Sequence, residues 1–401
     1  MGVDAHSKKL AISIWDGTDS WNPVLYKEIK SCEIDAMKTT FERQVPLDSI
    51  IIIEASTNST ALKNRLVDLG FRAEVVRSDV ISNKERKRKV CDIQDARNLA
   101  LAYIKGNIRE FVWTPSDEYA QYRDIHFAYR DTVKELTRTS NRIWSICSQK
   151  GFRLPIRAGA TKVEFIRKMI NELNISGFPK NRLEMLVKDY EHLLERKHEL
   201  ERMMVEVVLE NDAMLRLMQL PGFYFHGAFV LQSVVEKPQR FSTAAKLVAY
   251  VGLSPTLDTS GVKEEWATKK GGTGKPLDGE GRQDLKHYCC EVGQTVLNLC
   301  PKSNIGKWGW AMLKRGKPKN KVVCAAGRKL VTYAWHIMRG DPTPNRDGEA
   351  MFKRKMVRLY SELGKKRMSE FGYGTREDFA HAMAQKFYGE LKAESKTADT
   401  K

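Results

Sequence analysis

The chain has 401 residues and a formal net charge of +18 at pH 7. Its hydrophobic content of 42% can build a packed core, which excludes a wholly disordered protein. No apolar run reaches the ~18 residues that cross a bilayer, and no secretory signal opens the sequence, so we expect a cytoplasmic protein. The seven cysteines show no CxxC spacing, which indicates reduced thiols rather than a disulfide framework. The positive charge favours a polyanionic partner, because cations that neutralise phosphates release counterions.

Residues 1–110 alternate between strand and helix patterns. "LAISIWDG" and "PVLYKEIKS" predict a β-hairpin with an Asp-Gly turn, and the continuously apolar "LDSIIIIEAS" predicts a buried central strand. "STALKNRLVDLG" predicts a helix closed by Gly70, "FRAEVVRSD" a further strand, and "DIQDARNLALAYIKG" a helix closed by Gly106. We therefore expect a mixed sheet flanked by helices.

Residues 111–218 are expected to form a region of long helices. Seam residues recur at alternating steps of three and four, and one lysine is the only polar break, which is the pattern of a coiled coil. The seam consists of Leu183, Leu186, Tyr190, Leu193, Lys197, Leu200, Met204 and Val207. Its partner could be a second copy of the chain or the segment "DTVKELTRTSNRIWSICSQKG" of the same chain, and the pattern favours neither.

A third region is expected over residues 219–340, with Pro221 and Gly222 ending the long helix before it. This region contains "FSTAAKLVAYVGLSPTLDTSG", a stretch rich in glycine and lysine, and then helices through about Arg339. Residues 341–401 are expected to be an appended helical tail.

Cations and aromatic residues alternate in the last part of this third region. Between Pro301 and Gly340 the chain has ten Lys or Arg residues and no Asp or Glu. The aromatic residues among them are Trp308, Trp310, Tyr333 and Trp335. Bases stack on aromatic rings while cations bind phosphates, so the segment is typical of a nucleic-acid surface. The same rings could also belong to a core whose outer faces are basic.

Four acidic residues occupy positions that can meet at one edge of the predicted sheet. Asp4 begins the first strand, Glu54 ends the apolar strand, and Asp92 and Asp95 lie one turn apart at the head of a helix. Converging carboxylates repel one another unless a cation lies between them, and Mg²⁺ prefers such hard oxygen ligands. We therefore expect a magnesium site. Two ions about 4 Å apart could hold the attacking and leaving oxygens of a phosphodiester.

Each acid has a simpler interpretation when it is taken alone. Asp92 could cap the helix, Asp95 could interact with the helix dipole, and Asp4 could be a turn residue. It is the combination of the four that predicts the metal site.

Two groups of cations are expected to bind nucleic acid. The first directly precedes the acidic helix and consists of Lys84, Arg86, Lys87, Arg88 and Lys89. The second consists of Lys314, Arg315, Lys317, Lys319, Lys321, Arg328 and Lys329.

Several motifs resemble those of the DEDD transposases of bacterial insertion sequences. The acids lie in "GVDAHSKKLAIS", "IIIEAS" and "DIQDARNLA". Further along, "LPGF", "RFSTAAKLVAYVGLSP", "GLSPTLDTSG" and "KRGKPKNKVVCAAGRKLVTYAWHIMRG" are similar to segments of the same family, in the same order. The family includes recombinases guided by a structured bridge RNA, and its relatives include the pilin-gene invertases.

The resemblance implies an architecture and a mechanism. An α/β, RuvC-like domain of the RNase H fold would be followed by a helical coiled-coil region and a mainly α transposase domain. Ser260 would be the nucleophile that attacks a DNA phosphodiester and forms a covalent phosphoserine link, with metals held by the four acids activating the attack. The implied partners are target and donor DNA, a guide RNA and further copies of the chain in a dimer or tetramer associated with the bacterial nucleoid.

The sequence departs from the family pattern at two places, and other functions stay open. Tyr224 replaces a glycine expected after Pro221 and Gly222, and Glu264 and Glu265 fall in a segment expected to be basic. One alternative is a structure-selective nuclease, or a pilin-type DNA invertase, with the same acidic metal site. A nuclease of this kind would have an inert Ser260. Another alternative is a non-catalytic nucleic-acid binder in which the acids only cap structure.

Overall fold

The fold is described from a computed structural model of the chain. It describes residues 1–5, 8–16, 24–33, 36–77, 92–108, 110–151, 163–172, 176–254, 281–341 and 346–398. The chain divides into two compact units, Met1–Gln121 and Tyr122–Lys401. Among the helices of the described ranges, none combines the length and apolar character needed to cross a membrane.

The first unit is a mixed α/β domain. Its elements are β1 (Gly2–Ala5), β2 (Lys9–Asp16), β3 (Val24–Glu33), α1 (Met37–Gln44), β4 (Ile50–Glu54), α2 (Ser59–Asp68), β5 (Arg72–Val76) and α3 (Asp92–Ile104). The sheet has five strands in the order β3-β2-β1-β4-β5. β1, β2 and β3 pair antiparallel, whereas β4 lies parallel to both β1 and β5. The sheet therefore places the carboxyl ends of β1, β4 and β5 at one edge.

Both faces of this sheet are covered, which explains why β4 is apolar without interruption. Ile51 and Ile53 pack with Phe41 of α1 and with the buried leucines of α2. Ile52 faces the other way and packs against Leu99 of α3. A strand that is buried on both sides cannot alternate polar and apolar residues, so the interpretation of "IIIIE" as a central strand is confirmed.

The amino-terminal segment differs from the prediction in one respect. Asp4 was expected at the start of a single strand running into "LAISIW", but it lies within a separate strand, β1, which forms a hairpin with β2. Helix α1 was not predicted. Its apolar signal is limited to Met37 and Phe41, which are one turn apart and buried.

The second unit is helical throughout its described residues. Its elements are α4 (Asp117–Gln149), which begins in the first unit, α5 (Val163–Glu172), α6 (Phe178–Glu210), α7 (Asp212–Leu217), α8 (Phe225–Val235), α9 (Ala244–Tyr250), α10 (Gln283–Leu299), α11 (Asn304–Lys314), α12 (Lys319–Arg339), α13 (Glu349–Leu363), α14 (Lys365–Glu370) and α15 (Arg376–Ala398). A short 3₁₀ turn, Pro238–Arg240, precedes α9.

The predicted seam of α6 finds partners within the chain at both of its ends. Leu183 and Tyr190 pack against Ile143 of α4 and against α5. Met204 belongs to the main core of the unit. Lys197, the polar break, forms an ion pair of 2.7 Å with Glu201 and lies 5.8 Å from the ring centre of Tyr129. Of the two alternatives, the described contacts therefore favour pairing within the chain.

Residues 346–398 complete the core of the second unit, whereas the sequence suggested an appended tail. Phe352 and Phe379 are fully buried in the same cluster as α8 and α12. Lys355 of α13 donates to the carbonyls of Met218 and Leu220 at 2.8 and 2.7 Å. The ammonium of the half-buried Lys355 is also paired with Asp347 at 2.7 Å. Contacts of this kind make α13 to α15 part of the domain.

The Pro221-Gly222 motif forms a tight turn between α7 and α8. The long helix ends earlier than predicted, at Glu210. The amide of Phe223 donates to the Leu220 carbonyl at 3.2 Å, and a Cβ on Gly222 would lie 2.4 Å from Val296 Cγ2. The turn is therefore packed against α10, and at least the Phe223 amide is already used inside the fold.

Candidate functional site

Asp4 and Glu54 lie side by side on the sheet. β1 and β4 are parallel, with Gly2 opposite Ile52 and Val3 opposite Ile53, so the next step of the ladder brings Asp4 opposite Glu54. Side chains at steps of two share a face, and adjacent strands are ~4.8 Å apart. Both acids therefore project from the face that α3 covers.

Helix α3 contacts the backbone of β1 directly. A Cβ on Gly2 would lie 1.8 Å from the Ala96 carbonyl oxygen and 2.8 Å from the Ala100 nitrogen. Glycine is therefore required for the helix to approach this closely. Asp4 lies ~7 Å along the strand from Gly2.

The direction of α3 brings its first turn to the same edge as Asp4 and Glu54. The last turn of α3 lines a cavity of about 450 Å³ together with Met1, which directly precedes β1, and Ile50, the first residue of β4. The first turn, with Asp92 and Asp95, consequently lies toward the carboxyl ends of those strands. Asp92 is four residues before Ala96, a distance of ~6 Å along the helix.

The four acids differ in exposure. Asp4 is buried, Glu54 and Asp95 are half-buried, and Asp92 is exposed. None of the four lacks an interacting partner. In the described part of the chain, no three His, Cys, Asp or Glu side chains are gathered into a group that could hold a metal ion. The fold thus brings the acids to one face and one edge, and the magnesium site stays a prediction.

Two of the predicted elements of the site lie outside the described residues. The first is the basic group Lys84, Arg86, Lys87, Arg88 and Lys89, and the second is Ser260, together with Glu264 and Glu265.

The residues that flank positions 255–280, the segment containing Ser260, are held together. The amide of Arg282 donates to the Tyr250 carbonyl at 2.9 Å. A Cβ on Gly281 would lie 2.6 Å from the Cα and from the nitrogen of Gly252. The described residues on either side of positions 255–280 therefore meet at one place in the second unit.

Arginines from four parts of the sequence surround that place. Arg328 donates to the Leu253 carbonyl at 2.9 Å. Arg240 lies 4.7 Å from the ring centre of Tyr250. Arg282 interacts electrostatically with the same ring, and Arg123 with Tyr250, Arg240 and Arg282.

These guanidinium groups change the chemistry of the phenol between them. Burial alone would raise the pKa of Tyr250, but the charges of Arg240 and Arg282 and their hydrogen bonds hold it below its usual value. Of this group, sequence reasoning found only Arg328. Arg123, Arg240 and Arg282 carry no local signal, because α4, the 3₁₀ turn and the start of α10 bring them together only in the fold.

The second basic group forms an exposed turn between α11 and α12. Lys314, Arg315, Lys317, Lys319 and Lys321 are all exposed. The other two predicted cations are half-buried. Arg328 is hydrogen-bonded as described above, and Lys329 lies 4.8 Å from the ring centre of Trp308. We call the five exposed cations the basic turn.

Some aromatic residues of this segment belong to the core, and others are exposed enough to contact nucleic acid. Trp335 is buried, and its indole N–H lies 3.2 Å from the carbonyls of both Pro238 and Phe241, so it is a core residue. Trp310 is 45% exposed and donates to the Leu297 carbonyl at 2.9 Å. Its ring is the most exposed of the four and therefore the most accessible for stacking.

Two histidines of the second unit, the buried His126 and the half-buried His226, predict a dependence of stability on pH. Burial lowers the pKa of His126 to about 4 and that of His226 to about 3. In the unfolded chain both titrate near pH 6.5, so below that pH the unfolded state binds more protons. As the pH is lowered below 6.5, the free energy of unfolding should therefore decrease by up to ~1.4 kcal/mol per pH unit for each histidine. The loss begins as the pH falls below 6.5 and levels off below pH 3 to 4, where both histidines are protonated in the folded state as well.

Urea unfolding between pH 7 and pH 4.5 measures this dependence. His226→Phe should reduce the slope of stability against pH, whereas His192→Gln, at an exposed position of α6, should leave it unchanged. Equal slopes in wild type and His226→Phe would contradict the assignment.

Comparison with known proteins agrees with the motifs. The family model described as "Transposase IS116/IS110/IS902 family" matches residues 214–275. "Transposase for insertion sequence element IS1328" from Yersinia enterocolitica is 22% identical over 296 residues, which cover 72% of this chain and 83% of that protein. "Putative transposase y4pF/y4sB" from Sinorhizobium fredii (strain NBRC 101917 / NGR234) is 21% identical over 335 residues, covering 82% of this chain and 81% of that protein.

These matches agree with the resemblance drawn from the sequence, since the family model and both relatives are described as transposases. Of the matched residues, the structure describes 214–254, which contain the Pro221 turn, Arg240 and Tyr250. The rest of the match includes Ser260 and lies outside the described residues.

Proposed function

We propose that this protein cuts and exchanges DNA strands as a Mg²⁺-dependent transposase or site-specific recombinase, with Ser260 as nucleophile and a structured RNA as guide. The observation that carries the proposal is the shared edge of the sheet. Asp4 and Glu54 are neighbours on the face covered by α3, and the first turn of α3 brings Asp92 and Asp95 toward them. This strand arrangement also supports the proposal of an RNase H-like, RuvC-like fold for the first unit.

The four carboxylates fit Mg²⁺ by their chemistry, since this ion takes hard oxygen ligands and keeps waters for substrate phosphate. Asp4, Glu54, Asp92 and Asp95 would hold it, with rotation of their side chains to bring the oxygens together. Bound there, the ions would activate the attacking oxygen and neutralise charge that develops on the phosphate.

Ser260 would form a covalent bond to DNA. Its oxygen attacks the phosphorus, a P–O bond to the sugar breaks, and the sugar oxygen leaves with a proton while the serine hydroxyl loses its own. Attack by a sugar hydroxyl on the phosphoserine reverses the step without a new source of energy. Such a mechanism requires activation of the serine, because an ordinary hydroxyl is a weak nucleophile.

The arginines beside Tyr250 support phosphate binding where the described flanks of the Ser260 segment meet. Arg123, Arg240, Arg282 and Arg328 concentrate positive charge where the ends of the Ser260 segment meet. A concentration of one sign of charge favours a polyanion at that place.

Guide RNA and self-association are proposed from the resemblance together with two surfaces. The basic turn can bind the phosphates of either DNA or RNA. The outer side of α6 exposes Phe178, Met185 and Met203, which are 89%, 67% and 42% exposed. Their spacing of seven and eighteen residues places them in one stripe on the helix. A second copy of the chain covering this stripe would give the proposed dimer or tetramer. We further propose that the protein works in the cytoplasm, at the nucleoid.

Removing charge from the basic turn should weaken nucleic-acid binding. The double variant Lys317→Gln/Lys319→Gln should reduce the slope of log K against log salt by ~2 for duplex DNA, because each lost phosphate contact removes about one released counterion. Fluorescence anisotropy at several salt concentrations measures this. Lys365→Gln/Lys366→Gln removes the same charge from exposed positions of α14 and is the matched control. Equal losses in the two double variants would show that only net charge matters.

The experiment that tests the function uses the wild-type protein with DNA containing the ends of its own element, RNA transcribed from that element, and Mg²⁺. Denaturing electrophoresis should show strand cleavage that requires Mg²⁺ and a covalent protein–DNA adduct. Cleavage without an adduct would point to the structure-selective nuclease, and neither product would point to a binding protein.

A further inference from the structure

Helices α10 and α12 approach each other closely because glycines lie at their contact. A Cβ on Gly293 would lie 2.5 Å from the Val323 carbonyl oxygen and 2.9 Å from the Gly327 nitrogen. A Cβ on Gly327 would lie 2.6 Å from the Cys289 carbonyl oxygen. The two backbones therefore touch, and side chains one turn away on either helix face each other across a very short gap.

Cys290 and Cys324 occupy those facing positions. Each is three residues before the contact glycine of its helix, and their sulfur atoms are 3.6 Å apart. Both are half-buried. A disulfide needs a sulfur separation of ~2.0 Å and closely spaced backbones, so a modest rotation of the two side chains would suffice.

The surroundings make one thiol more reactive than the other. The hydrogen bond between the sulfurs lowers the pKa of Cys324, and Lys286 and Arg328 lower it further, against the effect of burial. The same hydrogen bond and burial raise the pKa of Cys290. Because thiolates rather than thiols attack oxidants, Cys324 is the sulfur that reacts first and Cys290 is placed to resolve the product.

We propose that Cys290 and Cys324 form a reversible disulfide when the protein meets a peroxide, which makes the pair an oxidant-modified site of the second unit. The Cys324 thiolate attacks one oxygen of hydrogen peroxide, the O–O bond breaks, and a sulfenic acid and hydroxide form; the hydroxide takes up the proton that the Cys324 thiol released and becomes water. The Cys290 sulfur then attacks the sulfenic sulfur, its proton leaves with the departing hydroxide as a second water, and the S–S bond closes. Two thiols are oxidised and one peroxide is reduced to two waters.

The disulfide would join α10 to α12, the two helices next to the arginines and the basic turn. Cys324 lies on α12 between the basic turn and Arg328, and Cys290 lies on α10, which begins directly after Arg282. A link between these helices fixes the separation of the basic turn from the arginines beside Tyr250. Disulfides in reducing compartments are usually transient and redox-sensing, which matches a pair of thiols rather than a permanent bond. This inference does not depend on the proposed function.

The test uses the reduced full-length protein treated with hydrogen peroxide, then with an alkylating agent, and analysed by peptide mass spectrometry. Cys290 and Cys324 should lose alkylation together, appear in one cross-linked peptide pair, and recover with dithiothreitol. The melting temperature of the oxidised protein should rise by ~5 °C, since a cross-link constrains the unfolded chain.

Single cysteine variants test whether Cys324 is oxidised first and Cys290 then closes the disulfide. Cys290→Ser should leave Cys324 as a sulfenic acid that dimedone captures, and Cys324→Ser should leave Cys290 unoxidised. Cys300→Ser, which removes a half-buried thiol away from the pair, is the control and should form the disulfide as the wild type does. The proposal is overturned if Cys290 and Cys324 remain alkylatable at peroxide doses that oxidise Cys300, or if the cross-links involve other cysteines.

Discussion

Asp4→Asn should abolish DNA strand cleavage while leaving the fold intact. Asparagine has nearly the same shape as aspartate, but it removes the charge that a divalent ion needs at the shared edge of β1, β4 and α3. A catalytic metal supplies several kcal/mol of charge stabilisation, so we expect a loss of ~10³-fold or more in the cleavage rate. Glu54→Gln should behave in the same way, because Glu54 is the in-register neighbour of Asp4.

The measurement is Mg²⁺-dependent cleavage of labelled element-end DNA, together with calorimetric titration of Mg²⁺ into the protein. Asp48→Asn is the matched control. Asp48 is exposed and lies before β4, at the opposite edge of the same sheet, so its loss should change neither cleavage nor Mg²⁺ binding. A cleavage rate of wild-type size in Asp4→Asn would refute the acidic metal site, provided that thermal unfolding shows a folded protein.

Ser260→Ala should eliminate the covalent protein–DNA adduct and strand exchange while leaving DNA affinity within about twofold. The alanine keeps the backbone but lacks the oxygen that would bond to phosphorus, and no other group can replace a missing nucleophile in a covalent step. Denaturing gels with end-labelled DNA detect the adduct, and anisotropy measures the affinity.

Ser254→Ala provides the control, because it removes a hydroxyl from the last described residue before the same segment. Persistence of full cleavage in Ser260→Ala, combined with an inactive Asp4→Asn, would establish the structure-selective nuclease in place of the serine recombinase. The two variants thus separate the role of the acids from that of the serine.

Local signals were sufficient to predict most elements of the first unit. The apolar run of β4 and the glycines that follow α2 and α3 each act within a few residues, and the structure has the corresponding central strand and helix ends. β2 and β3 pair antiparallel as predicted, whereas Gly17 of the predicted Asp-Gly turn lies outside the described residues. β1 was missed as a separate strand because its four residues are too few to show a period. α1 was missed because only Met37 and Phe41 mark its buried side.

Features that depend on distant contacts were not predictable in the same way. The packing of α13 to α15 into the main core follows from Lys355, Phe352 and Phe379 meeting residues more than a hundred positions away. The arginines beside Tyr250 are likewise adjacent only in space. The four acids could be anticipated as a set, because strand ends and helix starts meet at a sheet edge, but the side-chain positions that a metal requires cannot be read from their spacing.

The joined flanks of residues 255–280 have a consequence for how this protein can vary. Since Gly252 and Gly281 touch and Arg282 is bonded to Tyr250, the span between α9 and α10 is set by the scaffold and not by the number of residues in between. A homologous protein with more or fewer residues between these two contacts would therefore keep the same separation of α9 and α10.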